Sequence, residues 1–151
     1  MKAAIRNETG LAIAEIAIPR PKASEILVKV RASSLNRADL SLVDGKSHGA
    51  AGGPGTVLGL EWSGDVVEVG EDVTAYGVGD KVMCSGLGGF AEYAVTDWRR
   101  AFPFPMADMD YETAACLSPS RCARHTRRCA MPRNWRRARR SWCWVHPPVS
   151  G

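Results

Sequence analysis

Apolar and polar residues alternate along the first third of the chain. Over residues 25–32 Ile26, Val28 and Val30 fall on one face and Leu27, Lys29 and Arg31 on the other, the period-two pattern of a strand. Residues 2–5 and 11–18 read as strands as well, and Pro19 and Pro21 separate the second from the third. The alternation predicts antiparallel pairing with one face toward water. The period changes over residues 34–43, where Leu35, Leu40 and Leu42 stand among Asn36, Arg37 and Asp39; this predicts a short helix capped by Ser33 or Ser34. A loop rich in Gly and Ala follows over 45–55. Further strands are predicted over 57–69, 79–83 and 90–95, punctuated by Gly70, Gly77, Gly79, Gly86, Gly88 and Gly89. Short strands, frequent glycine and little helix indicate a small barrel or sandwich. Gly86-Leu87-Gly88-Gly89 leads into Phe90-Ala91-Glu92-Tyr93 and not into a helix start, so these glycines read as turn and corner positions, not as a phosphate cradle.

Composition first agrees with this picture and then divides it. The 151 residues, 45% hydrophobic and 24% charged, suit one soluble domain and are too few for two of ordinary size. The net charge of +4 belongs to no single region. Through Glu112, eleven Lys and Arg stand against sixteen Asp and Glu, a net of about −5; from Thr113 onward there are nine Arg and no acid. Cys84 is the single cysteine of the acidic part, while Cys116, Cys122, Cys129 and Cys143 lie in or at the edge of the basic part, so no disulfide framework is expected. Residues 1–8 lack the features of a secretory signal, and no run approaches the roughly 20 apolar residues of a membrane span. The expected location is cytoplasmic.

Several stretches, in order, resemble the N-terminal, GroES-like domain of the medium-chain dehydrogenase/reductase family. They are Met1-Lys2-Ala3-Ala4, Glu25-Ile26-Leu27-Val28-Lys29-Val30, Ala32-Ser33-Ser34-Leu35-Asn36-Arg37-Ala38-Asp39-Leu40, Pro54-Gly55, Leu58-Gly59-Leu60-Glu61-Trp62-Ser63-Gly64, Val69-Gly70 with Val73, Gly79-Asp80-Lys81-Val82 and Gly88-Gly89-Phe90-Ala91-Glu92-Tyr93. The resemblance covers residues 1–117 and implies a mainly β, partly open barrel with one or two short helices, followed by an irregular Arg-rich tail. Zinc-dependent relatives place a Cys where this chain has Asn36 and a His where it has Leu60, and Cys84 alone does not form a structural zinc lobe. No metal is therefore expected. Leu35-Asn36-Arg37-Ala38-Asp39-Leu40 is instead similar to the quinone-oxidoreductase branch, in which NADPH or NADH delivers hydride to a quinone or an α,β-unsaturated carbonyl without zinc. By that resemblance Asn36 sits at the nicotinamide end of the cofactor, and Asn36 and Asp39 border the substrate pocket. From the residues alone, Asn36 also reads as a helix cap or turn residue and Asp39 as a capping or ion-pairing residue near Arg37. Where some relatives carry a pocket Tyr this chain offers Ser41, Ser47 and His48; His48 reads as a solvated loop residue, and no residue is nominated as a catalytic acid.

The tail, residues 118–151, has neither helical nor strand period. One reading is a nucleic-acid arm, with Arg127, Arg128, Arg133, Arg136, Arg137, Arg139 and Arg140 on phosphates and Trp135, Trp142 and Trp144 stacking on bases. A metal site from Cys122, His125, Cys129, Cys143 and His146 is a weaker one, because the gaps fit no common zinc module. The third is an out-of-frame reading of the gene. Read from the third base of each codon, Arg140 to Val145 encode two apolar residues and then Val, Leu and Gly, provided Ser141 uses a TCN codon. The stretch from Asn134 to Gly151 permits Leu-Ala-Pro-Gly-Glu-Thr-Val-Leu-Val-Leu-Gly-Ala-Ser-Ser-Gly-Val-Gly. That phrase is a turn, a buried strand and a glycine loop, the entry to a dinucleotide-binding βαβ unit. The expectation is a frame change near Leu117 or Ser118, a tail without a fold of its own in place of the start of the cofactor domain, and a chain inactive by itself.

Overall fold

The chain's structure, a computed structural model, describes residues 1–8, 10–46, 53–104 and 108–117. Ser47, His48 and the whole Arg-rich tail lie outside the described residues.

The long strand β3 (Glu25–Ser34) lies second in a five-stranded sheet. It pairs antiparallel with β6 (Tyr93–Asp97) on one side and β4 (Glu61–Val69) on the other; β5 (Lys81–Ser85) and β7 (Ala101–Pro103) extend the sheet beyond β4. The inward positions share one parity. Ile26 and Val28 of β3, Trp62 and Val66 of β4, and Val82 and Cys84 of β5 are buried together with Ala94 and Ala101, the core expected when one face of each strand turns inward. A second antiparallel pair, β1 (Lys2–Asn7) with β2 (Gly10–Glu15), closes part of the open side through isolated bridges from Ala3 to Ala91 and from Ile5 to Val57. The result is the mainly β, partly open barrel that the alternation and the resemblance imply.

Curvature is built in by register shifts between β3 and β4, at Leu27/Val28 and at Val30/Ala32. Gly64 sits opposite Val30 beside the second shift, and a Cβ there would run into the carbonyl oxygen of Lys29. Only glycine permits the two backbones to approach this closely.

Four features depart from the reading of the sequence. Leu27, assigned to the wet face, is buried, and that face becomes exposed from Lys29 onward; the helix over Tyr111–Cys116 packs on this strand. Helix α1 (Arg37–Val43) is capped by Asn36 and not by Ser33 or Ser34, since β3 continues through Ser34. Of residues 57–60 only Val57 makes a bridge, to Ile5 of β1, and β4 begins only at Glu61. Two elements near the end of the described chain escaped the pattern altogether: β7, of three residues, and helix α2 (Tyr111–Cys116), of six.

α2 is part of the barrel unit. Asp110 caps it by accepting from the Thr113 amide at 2.6 Å, and Ala114 and Ala115 are buried as it packs on β3 and β4. The Tyr111 hydroxyl donates to Asp65 at 2.5 Å, and the Ser63 hydroxyl donates to the Tyr111 carbonyl at 2.5 Å. Phe104 meets the Tyr111 ring edge-on at 5.4 Å, and the Lys81 ammonium lies 5.2 Å from its centroid.

Candidate cofactor-facing site

The turn between β3 and α1 brings together the residues singled out in the sequence. Asn36 leaves the strand in an extended conformation, and its backbone N–H donates to the Asp39 carboxylate at 2.8 Å, the N3 side chain reaching back to the cap. Asp39 therefore does the capping that its position allows. The ion pairs found among the described residues join Arg31 to Asp65 and Arg99 to Asp97, not Arg37 to Asp39.

Glu61 completes the group from across the fold. The Asn36 side-chain amide donates to Glu61 at 3.0 Å, and the Ser34 hydroxyl lies 3.5 Å from the same oxygen. Glu61 is delivered there by a close crossing. Gly59 has φ +97, and a Cβ on it would strike the backbone nitrogen of Phe90; with glycine present, Phe90 donates to Leu58 at 2.8 Å and Gly89 donates to Gly59 at 3.0 Å. Buried Leu42 and Leu58, with Val43, Leu60 and Phe90 packed against them, hold α1 over this crossing. Glu61 was missed as a site residue. Its signal was an acid set between Leu60 and Trp62 at the head of an apolar strand, a position that demands a partner.

The electrostatics are uneven. Asp39 and Glu61 are each 4% exposed, and one Asp39 oxygen, Oδ1, is buried without a hydrogen-bond partner. Burial raises the Asp39 carboxyl above the ordinary carboxylate range, the Asn36 and Leu60 amides pull it back, and the neighbouring Glu61 adds to the rise. Leu35, next to Asn36 in the chain, is 86% exposed and Leu40, on α1, 66% exposed. Two shallow concavities, about 340 and 320 Å³, open elsewhere on the barrel and are lined by neither Asn36 nor Asp39.

Zinc does not fit this group. Asn36 offers a neutral amide and Leu60 no donor at all, and among the described residues no three His, Cys, Asp or Glu side chains are placed to hold a metal ion. Gly86-Leu87-Gly88-Gly89 leads into β6, as turn and corner glycines would.

Residues 22–106, more than half of the chain, match the family model described as the alcohol dehydrogenase GroES-like domain. Similar proteins include a sorbitol dehydrogenase from Halalkalibacterium halodurans, 29% identical over 157 aligned residues that cover 83% of this chain and 45% of that protein. A quinone oxidoreductase from Lama guanicoe is 30% identical over 105 residues, 68% of this chain and 31% of that one. A trans-enoyl reductase from a Penicillium species is 34% identical over 108 residues, 64% of this chain and 29% of that one. Among solved structures, the quinone oxidoreductase from Coxiella burnetii superposes with a TM-score of 0.70 at 28% identity, covering 78% of this chain and 41% of that one. The chain thus spans less than half the length of these relatives. No helix among the described residues is long and apolar enough to cross a membrane.

Proposed function

This chain belongs to the alcohol dehydrogenase GroES-like domain family, and from that premise we propose that it is the substrate-side part of an NAD(P)H-dependent, zinc-independent cytoplasmic oxidoreductase that reduces quinones or α,β-unsaturated carbonyls. The observation that carries the proposal is the Asn36 group. Where a zinc enzyme of the family needs charged or imidazole donors, this chain has Asn36, its backbone N–H held by Asp39 and its side-chain amide by Glu61, with exposed Leu35 and Leu40 nearby in the chain. In the complete enzyme a bound nicotinamide cofactor would supply the hydride for the reduction, with the balancing proton from solvent. The chain's own contribution is positional: Asn36 at the nicotinamide end, Asn36 and Asp39 bordering the substrate, and Leu35 and Leu40 excluding water once the second domain closes over them.

In this reading the pyrophosphate binds in the second domain, so the isolated chain is inactive. Incubation with NADPH and a panel of quinones and enones, followed at 340 nm, gives no substrate-dependent oxidation; measurable turnover would overturn the division of labour. Metal analysis of the purified protein gives zinc well below one per chain, and stoichiometric zinc would overturn the metal-free part.

A further inference from the structure

The described fold remains well built up to its last element: α2 is capped by Asp110, buried through Ala114 and Ala115 and latched by Tyr111. Acids disappear and nine Arg enter only around and after it, so the change of composition falls at the end of a folded unit and not within one. We infer that the DNA encoding residues 118–151, read from the third base of each codon, carries a nicotinamide-dinucleotide site: the helix, first strand and glycine loop of the cofactor domain. The inference rests on the substrate-side reading above.

The genetic code leaves several positions no freedom in that frame. Met131-Pro132 encodes Ala, Asn134-Trp135 encodes Leu, and Trp142-Cys143-Trp144-Val145 encodes Val-Leu-Gly, whatever synonymous codons are used. Others have two outcomes: Cys122-Ala123 gives Cys or Arg, and His125-Thr126 gives Tyr or His. With the remaining positions free, Ser118 to Asn134 permits Pro-Val-Ala-Leu-Cys-Thr-Ala-Tyr-Glu-Ala-Leu-Arg-Asp-Ala-Ala-Lys. Leu, Ala, Tyr and Leu then recur at i, i+3, i+4 and i+7, the apolar stripe of a helix that packs on a sheet. The forced Leu opens the turn Leu-Ala-Pro-Gly-Glu-Thr, and the forced Val-Leu-Gly closes a buried strand directly onto the glycine loop, whose backbone amides bind a pyrophosphate. The forced and two-outcome positions all accommodate that helix, turn, strand and loop, whereas the tail as translated has neither helical nor strand period.

The tail's odd composition follows from the same shift. Ala and Thr codons of the GCG and ACG type, read one base away, contribute the CG that begins most Arg codons. Leu and Val codons ending in TG contribute the TG of Cys and Trp. The Arg excess is then a property of the codons and calls for no polyanion partner.

The gene as it exists decides the matter. Sequencing the locus and its transcript shows Pro148 as CCG and Ser150 as TCG, which place the second and third glycines of the loop, and the third-base frame stays open well beyond codon 151 into a βαβ pattern. A different third base at either codon, or a stop in that frame within the tail or shortly after it, overturns the inference while leaving the family membership of the described domain intact. The opposite split is equally readable. If the codons hold and the product extended in that frame quenches protein fluorescence on adding NADPH, yet reduces no quinone or enone, the inference stands and the proposed function fails.

Discussion

Asp39 and Asp65 are both carboxylates set against the barrel wall, and their surroundings treat them in opposite ways. Asp65 accepts from the Tyr111 hydroxyl at 2.5 Å and from Arg31 at 2.8 Å; these hydrogen bonds and the nearby positive charges outweigh its partial burial and hold the carboxyl below the ordinary range. Asp39 is more deeply enclosed, has one oxygen without a partner and lies near a second carboxylate, so burial wins and its carboxyl is raised. β4 carries the difference, with Glu61 at its head and Asp65 four residues on. Hydrogen bonds and positive charge hold Asp65 where α2 meets the sheet, whereas at the β3–α1 turn Asp39 lies beside a second carboxylate, Glu61. Incomplete satisfaction of buried polar groups is a cost that folds tolerate mainly at functional sites.

Both regions hang from β4, so the largest effect comes from its central anchor. Trp62→Ala empties a fully buried site and lowers stability by about 3–5 kcal/mol in denaturant titrations, and the Asn36 and Tyr111 contacts disappear in one cooperative transition. Two separate transitions would mean that the regions are independent units.

A smaller change separates them. Tyr111→Phe removes a hydrogen bond to a charged group, worth roughly 1.5–3 kcal/mol when buried, and the effect falls near the lower end because Asp65 is partly exposed. Hydrogen exchange quickens in α2 and stays unchanged at the Asn36–Asp39 turn.

The pH response sharpens the contrast through its sign. Asp39 binds its proton more tightly folded than unfolded, so its share of stability is present below the ordinary carboxylate range and is lost as pH rises from there through its raised value. Asp65 behaves oppositely: its contribution is present above that range and is lost as pH falls through its lowered value. In thermal melts across the acidic range, Asp39→Asn flattens the loss on the rising side and Asp65→Asn the loss on the falling side. The reverse assignment of the two slopes would contradict the burial argument.

The smallest effect on stability belongs to the rim. Leu35→Ser with Leu40→Ser shifts unfolding by no more than about 0.5 kcal/mol per site, since both side chains are exposed, yet light scattering at high concentration falls because the apolar patch is gone. A large loss of stability would show that these residues belong to the core.

How much of this was legible in the sequence follows from the kind of signal each feature leaves. The even-numbered core of β3, β4 and β5 was readable because period-two alternation is the direct imprint of a sheet with one buried face. β7 and α2 are too short for any period to emerge, and tertiary contacts from Ser63, Asp65 and Met83 hold α2 in place. The capping residue was placed too early because Ser33 and Ser34 are good caps locally, and strand pairing with Trp62 and Glu61 overrides that preference. Asn36 and Asp39 were singled out in the sequence, and the capping geometry brings them together as N-cap and N3. Glu61 was not, because its link to Asn36 spans twenty-five residues and depends on the Gly59 crossing, which no local pattern reveals.

The division of labour between this domain and its partner is tested most directly by measuring NADPH oxidation, with and without a quinone, for two products of the same locus: the present chain, and the chain continued from codon 118 in the third-base frame. The account predicts no quinone-dependent oxidation from the first and turnover from the second that survives a zinc chelator and falls sharply with Asn36→Ala. Turnover by the present chain, or a continued chain that binds NADPH and is active only with zinc, would contradict it.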